Sequence, residues 1–224
     1  MESRPTSRPR CAVPNPPITS YAVRIKLNRI VSSYPVTFDL ERPLKMSRAQ
    51  VFLRILLFIL LSWISGSGGG LGLIYLGIPV IVAVLIAQKG GDRYVTEDGE
   101  RVTSWLAFIV GVLAYLALLT DELPSKSSSS VRFAIARSGS PTVGSALLRI
   151  LQAIPSGLVL ILISIVGWFV WLIAAILVLF TESYPESLWK FQRGVVRWEA
   201  RLLGYLASLV EAYPPFSFDT GADT

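Results

Sequence analysis

A run of 25 residues without a charged side chain, residues 156–180, constrains this chain more than any other feature. A membrane-spanning helix needs about 20 consecutive apolar residues, with a range of roughly 17–25. Residues 71–88 and 102–120 are also free of charge and pass the same test. Residues 49–65 form a shorter apolar block that contains one charge, Arg54. We therefore expect an all-α integral membrane protein.

The composition agrees with a membrane location. Hydrophobic residues make up 52% of the chain and charged residues 16%, whereas soluble domains carry about 25% charged residues. The net charge is +6, and all of the excess lies in residues 1–48. A basic leader before the first apolar block predicts a cytoplasmic N-terminus by the positive-inside rule. The location of the charge favours this topological role over nucleic-acid binding.

Two residue counts narrow the chemistry. The chain has no histidine, and its one cysteine is Cys11. Imidazole acid–base catalysis, histidine metal sites, intrachain disulfides and paired-cysteine redox motifs are therefore excluded. We expect no catalytic residues, no cofactor and no metal, and thus a protein that is not an enzyme.

Several segments are predicted to lie outside the bilayer. Residues 1–20 are rich in Pro, Ser and Arg, which predicts a disordered basic tail. Apolar and polar residues alternate in 21–27, 36–40 and 131–136, which predicts short β-strands. These strands belong outside the membrane, because an open sheet edge cannot face lipid.

The two halves of the chain resemble each other. Leu-Arg-Ile-Leu at residues 53–56 recurs at 148–151, and Tyr-Leu-Ala at 115–117 recurs at 205–207. Such self-similarity predicts two tandem helical repeats. The predicted domains are a tail (1–20), a first membrane repeat (21–124), a Ser-rich linker (125–130), a second membrane repeat (131–219) and a terminal tail (220–224).

A basic stripe lies in the last predicted helix, residues 186–211. Four basic residues at spacings of three and four fall on one helical face: Lys190, Arg193, Arg197 and Arg201. This stripe is the candidate contact for anionic lipid headgroups. The alternative is a solvated face with internal pairing, for instance Glu186 with Lys190. The helix itself is either an interfacial amphipathic helix or a span.

Arg54 and Arg149 occupy equivalent positions in the two repeats. A charge at bilayer depth costs about 2.5–3.5 kcal/mol on insertion scales. We interpret both as membrane-edge arginines whose side chains extend to the surface. The alternatives are a buried pair and a lipid phosphate contact.

The predicted topology has one hairpin per repeat, which gives four spans with both termini inside. The loop 89–101 is acidic and suits the exterior, whereas the linker region 121–149 has four basic residues and suits the cytoplasm. If the helix 186–211 lies in the membrane interface, the number of spans falls to three. If residues 49–65 count as a short span, the number of spans rises to five or six.

Several landmark motifs occur in a characteristic order. They are Tyr34-Pro35-Val36, Leu147-Leu148-Arg149-Ile150-Leu151-Gln152-Ala153-Ile154-Pro155, Phe180-Thr181-Glu182-Ser183-Tyr184-Pro185, Gly194-Val195-Val196-Arg197-Trp198 and Tyr213-Pro214-Pro215-Phe216-Ser217. Through them the chain resembles a bacterial membrane family known as domain of unknown function 4389, closely over 131–219 and more loosely in the first half. The resemblance implies a multi-pass protein of the bacterial inner membrane and implies no activity.

The expected function is that of a non-enzymatic scaffold or accessory subunit. It would contact the lipid bilayer and a membrane-protein partner or a second copy of the chain. A small transporter or channel is the alternative, since tandem repeats often build transport folds. Against transport, we place no carboxylate, amide or pair of broken helices in the middle of a predicted span, and Gln88 and Gln152 lie at the edges. A lipid-modifying membrane enzyme is the third possibility.

Overall fold

The computed structural model describes residues 34–64, 69–124 and 130–218 and is mostly helical. In chain order the elements are β1 (Val36–Leu40), α1 (Arg48–Ile64), α2 (Gly69–Lys89), α3 (Gly99–Leu116), β2 (Val131–Ile135), α4 (Val143–Thr181) and α5 (Glu186–Leu206). One helical turn, Gly91–Arg93, and a π-helical segment, Tyr94–Asp98, lead from α2 into α3. A mainly helical fold with short strands is therefore confirmed. The predicted tail 1–20 and the predicted strand 21–27 lie outside the described residues.

The two strands pair with each other as an antiparallel ribbon. Phe38 lies opposite Phe133 at the centre of the pairing. In β1 the alternating pattern puts Val36, Phe38 and Leu40 on the buried side and the polar residues outside. The strand predicted at 36–40 is confirmed, and the one at 131–136 is confirmed except for its last residue.

The helices form two layers beneath this ribbon. α5 packs against β1 and α3 packs against β2, and these two helices also contact each other. On the other side α4 packs against α5 and α2. Gly204 of α5 marks the closest approach to the ribbon, since a Cβ atom there would lie 2.8 Å from Cγ2 of Val36. α3 and α5 thus form a middle layer between the ribbon and the outer helices.

α4 is one helix of 39 residues, which corresponds to about 58 Å at a rise of 1.5 Å per residue. Thr142 begins it, because the Thr142 hydroxyl and the Ser145 hydroxyl each accept from the other residue's backbone N–H. The helix ends at Glu182, whose φ of 55° is left-handed. Pro155 lies inside it without interrupting it. The uncharged run 156–180 lies entirely within this one helix.

The outward side of α4 is apolar and exposed along most of its length. Large side chains at least 47% exposed are Leu148, Leu151, Ile154, Leu158, Ile161, Leu162, Ile165, Val166, Trp168, Phe169, Ile173, Ile176 and Phe180. Exposed apolar side chains of α2 adjoin this surface, among them Leu76 and Val80. We call the α4 residues just listed the apolar face of α4. Soluble monomers rarely expose contiguous apolar patches larger than a few hundred Å².

Two helical stretches among the described residues are long and apolar enough to cross a membrane, Gly91–Leu116 and Val143–Thr181. A third apolar stretch, Ile74–Lys89, is shorter. α5 is not among them, because six of its 21 residues are charged. These helices weakly indicate membrane association, and the number of spans and their orientation stay predictions.

The ends of α3 and α5 differ from the predicted ends. We expected the helices over 102–120 and 186–211 to continue to their last residues, but α3 ends four residues earlier, at Leu116, and α5 ends five residues earlier, at Leu206. After each helix the chain turns at a residue with a left-handed φ angle, Leu118 (62°) after α3 and Ser208 (55°) after α5. This conformation stops a right-handed helix. In each turn this residue's N–H donates to a tyrosine carbonyl three residues earlier. The two turns lie 90 residues apart.

Candidate functional site

Arg54 of α1 is completely buried in the protein. Its guanidinium donates to the backbone carbonyl of Thr120 and to a carboxylate oxygen of Asp121 at 2.9 Å. It also lies 4.4 Å from the centre of the Tyr115 ring. Thr120 lies four residues after the end of α3, so Arg54 holds the turn that follows this helix.

Arg149 of α4 makes the matching contact at the end of α5. It donates to the carbonyl oxygens of Tyr205 and Val210, both at 2.6 Å. Its guanidinium lies 4.6 Å from the centre of the Tyr205 ring. A cation at a helix C-terminus is also favoured by the helix dipole. Both arginines therefore serve as caps for the turns that end the middle-layer helices.

The interpretation of Arg54 and Arg149 as extended surface side chains is wrong in one respect. Both guanidinium groups point into the protein and are at most 6% exposed. The reason is that each finds helix-end carbonyls and an aromatic ring within reach, which replace the water that a surface arginine would seek. Their depth relative to a membrane stays a prediction.

The basic stripe is split by the structure. Lys190 is exposed and pairs with Glu186 at 2.7 Å. Arg193 lies 5.0 Å from the centre of the Trp189 ring and 4.0 Å from a carboxylate oxygen of Asp39. Contact with lipid headgroups therefore stays a prediction for Lys190, at the start of α5.

The other half of the stripe is buried. Arg197 and Arg201 are at most 2% exposed. Arg197 donates to the carbonyl oxygens of Phe38 in β1 and of Phe218, and Arg201 donates to that of Ser217 at 2.8 Å. These arginines join α5 to the ribbon and to the C-terminal segment. We therefore do not extend the headgroup contact to them.

A cavity of about 580 Å³ lies between α2, α4 and α5. Most of its lining is aliphatic, and its polar side chains are Tyr75, Ser164 and Glu199. Part of the rim belongs to the apolar face of α4, through Ile154 and Ile161. Pockets of 300–1,000 Å³ with mostly apolar walls and a few polar groups are typical of small-molecule sites.

Glu199 is the ionisable acid of this cavity. Burial raises its pKa from 4.5 to about 7, since removal from water disfavours the carboxylate. Among the described residues no hydrogen bond or ion pair holds its carboxyl group. The carboxyl group therefore titrates near neutral pH. A shifted acid in a cleft is a candidate functional group.

Glu199 is not among the site residues predicted from the sequence, although the pattern around it contains a usable signal. The positions three and four residues away on both sides are Val195, Val196, Leu202 and Leu203. A single acid surrounded by such neighbours lies on the apolar side of an amphipathic helix. What the pattern could not show is the cavity, which needs three helices.

Within the described residues there is no group of three or more His, Cys, Asp or Glu side chains able to hold a metal ion. Residues 144–217 match the family model described as Domain of unknown function (DUF4389). The match covers most of α4, all of α5 and the segment to Ser217, and it supports the resemblance drawn from the motifs. Neither the curated proteins nor the solved structures contain a match to the chain.

Proposed function

We propose that this protein is a multi-pass protein of the bacterial inner membrane, and that it acts as a non-enzymatic scaffold or accessory subunit. The observation that carries the proposal is the apolar face of α4. Exposing this surface to water would be unfavourable, at roughly 25 cal/mol per Å² of apolar area. Lipid chains or a partner helix would cover it, and the basic leader would keep the N-terminus in the cytoplasm.

The polar contacts within the protein support a scaffold. Arg54, Arg149 and Arg197 all donate to backbone carbonyls of other elements. These hydrogen bonds help hold the ribbon, the middle layer and the outer helices together. Side chains engaged in this way stabilise the structure and present little to a substrate.

Two tandem repeats form part of the proposal. At the centre of the ribbon Phe38 pairs with Phe133, its counterpart 95 residues later. Arg54 and Arg149, also 95 apart, cap turns that lie 90 apart. These relations support two copies arranged about a pseudo-two-fold axis, as in an isologous contact. The family match covers the second half.

Membrane integration is tested by fractionation. Membranes that contain the full chain are washed with alkaline carbonate and then with a nonionic detergent. An integral protein stays in the membrane pellet after carbonate and enters the detergent extract. Release by carbonate alone would overturn the proposal of an integral protein.

The scaffold role is tested by purification from the native membrane in mild detergent. We expect one membrane-protein partner, or a second copy of the chain, in a fixed ratio. Recovery of the chain as a monomer without a partner would contradict the scaffold. The Leu162→Ala variant, which shortens a side chain of the apolar face of α4 without adding a charge, serves as the comparison that should retain less of the partner if that face binds it.

A small transporter or channel is the second candidate, and one observation favours it. The cavity beside α4 contains a carboxyl group, Glu199, that titrates near neutral pH. Acids that change protonation state inside membrane proteins mark ion or proton pathways. Proton flux through reconstituted vesicles that vanished in Glu199→Gln would favour transport over the scaffold.

Contact with anionic headgroups is proposed for Lys190. Its side chain is 63% exposed, and one basic residue near an anionic surface contributes about 1 kcal/mol. The Lys190→Gln variant is expected to retain roughly fivefold less phosphatidylglycerol through purification. Equal retention by the variant and the native chain would overturn this contact.

A further inference from the structure

The cavity between α2, α4 and α5 has mostly apolar walls and a few polar side chains. Its aliphatic walls come from all three helices, for example Leu76 of α2, Leu160 of α4 and Leu202 of α5. The rim continues into exposed side chains of α2 and of the apolar face of α4, such as Leu76 and Ile161. An apolar molecule can therefore enter from the side that we propose faces lipid.

Charged groups on the surrounding helices do not neutralise Glu199. α4 has one charged residue, Arg149, whose guanidinium donates hydrogen bonds to carbonyls at the end of α5. Lys89 is the charged residue of α2, and it pairs with Asp98 at 2.7 Å. On α5 itself, Arg197 donates to Phe38 and Phe218.

Two hydroxyl groups accompany the acid. Tyr75 of α2 lines the cavity together with Glu199. Ser164 of α4 is exposed at the cavity. Both are uncharged hydrogen-bonding groups, so the ionised cavity has one negative charge in apolar surroundings. The complementary ligand carries a positive charge on an apolar body.

We propose that this cavity binds a lipophilic amine, with the apolar chain along α4 and the ammonium group against Glu199. An ammonium at hydrogen-bond distance would supply the partner that the described residues do not provide. An anionic amphiphile would meet a like charge. A neutral alcohol would gain only the apolar contacts and a hydroxyl partner.

The ligand class depends on the protonation state of Glu199. Because burial raises the pKa of this group to about 7, the site is anionic above that pH and largely neutral below it. An alkylamine remains an ammonium across this range, as a lysine side chain does. Binding of the amine should therefore strengthen between about pH 6 and pH 8, and binding of the alcohol should not.

The test uses the full chain in a nonionic detergent and three probes with one tail: decylamine, decanol and decanoate. Binding is measured by isothermal titration calorimetry at about pH 8. Charge-assisted hydrogen bonds contribute about 1.5–3 kcal/mol, so decylamine should bind about tenfold or more tightly than decanol. Decanoate should bind most weakly. Equal affinity for amine and alcohol would overturn the proposal.

Glu199→Gln should remove the preference for the amine and leave the affinity for decanol within about twofold. Glu100→Gln is the matched control, because Glu100 is an exposed acid of α3 that does not line the cavity. An unchanged preference for the amine in Glu199→Gln would place its binding elsewhere and overturn the proposal.

A second pair of variants tests the cavity without altering the acid. Gly157 lines the cavity, and a Cβ atom there would meet no atom within 4 Å. Gly157→Leu should fill the space and weaken binding of amine and alcohol alike. Gly144→Leu, also with open space but outside the cavity lining, should not. Unaltered binding in Gly157→Leu would refute the site.

Entry of the ligand from the lipid side rests on the proposed membrane location, whereas binding of the amine in the cavity does not. Failure of the binding experiment leaves the carbonate extraction result unaffected. Conversely, a chain released by carbonate can still be tested for amine binding in detergent. The two proposals therefore fail independently.

Discussion

The guanidinium of Arg149 donates to the Tyr205 carbonyl at 2.6 Å and also lies 4.6 Å from the centre of the Tyr205 ring. One side chain of α4 thus engages both the backbone and the aromatic ring at the end of α5. The Tyr205 hydroxyl in turn donates to Gln152 of α4 at 2.5 Å. These contacts fix the end of α5 against α4.

Arg149→Met should destabilise the protein by about 2–4 kcal/mol, because it leaves two buried carbonyls without their charged donor. Thermal unfolding in detergent, followed by circular dichroism, measures the loss. The control is Arg132→Met, which removes an exposed ion pair with Glu41 and should cost less than about 1 kcal/mol. Equal effects of the two variants would contradict the capping role.

Gly204→Ala should lower the free energy of unfolding by about 1–3 kcal/mol. The added methyl group would meet Cγ2 of Val36 at 2.8 Å, and Val36 is fully buried on a strand. The helix and the ribbon would have to separate slightly. Gly144→Ala, with open space around it, is the control and should be neutral or stabilising through helix propensity. The prediction fails if both variants melt alike.

Stability should fall as the pH rises through the range in which Glu199 ionises. The folded-state pKa of about 7 exceeds the ordinary value of 4.5, so the folded state binds the proton more tightly. The favourable contribution is full below about pH 4.5 and is lost by about pH 7, with a size of up to roughly 3 kcal/mol. Melting curves across this range measure it.

Glu199→Gln should flatten that pH dependence. Glu186→Gln is the control, because Lys190 lowers the pKa of the exposed Glu186 carboxyl and gives the opposite sign. The contribution of Glu186 is lost as the pH falls, so its removal cannot produce the flattening. A pH profile of Glu199→Gln that superimposes on the native profile would refute the assignment.

A lysine in the middle of the apolar face of α4 should impair membrane insertion. Leu162 is 65% exposed on that face, and a lysine at the centre of a spanning helix costs about 2.5–3.5 kcal/mol. A reduced carbonate-resistant fraction of Leu162→Lys measures the effect. Leu44→Lys, at a loop position that is 96% exposed, should behave like the native chain. Normal insertion of Leu162→Lys would argue against lipid contact at this face.

Much of the secondary structure could be predicted from the sequence. Uncharged apolar runs indicated α2, α3 and α4, since an apolar surface of that length excludes most other elements. Alternation at 36–40 and 131–136 indicated both strands of the ribbon. The helix ends were harder, because Leu118 and Ser208 adopt left-handed φ angles that ordinary residues seldom show.

Local periodicity in the sequence predicts where helices and strands form and which side of α5 is basic. Folding determines what covers each side of the helix. It buried Arg197 and Arg201 under β1 and the C-terminal segment, although their spacing equally suits a surface stripe. It also placed Glu199 in a cavity formed by α5, the adjacent α4 and the distant α2. Periodicity specifies a direction around a helix axis, whereas burial depends on neighbours brought together by folding.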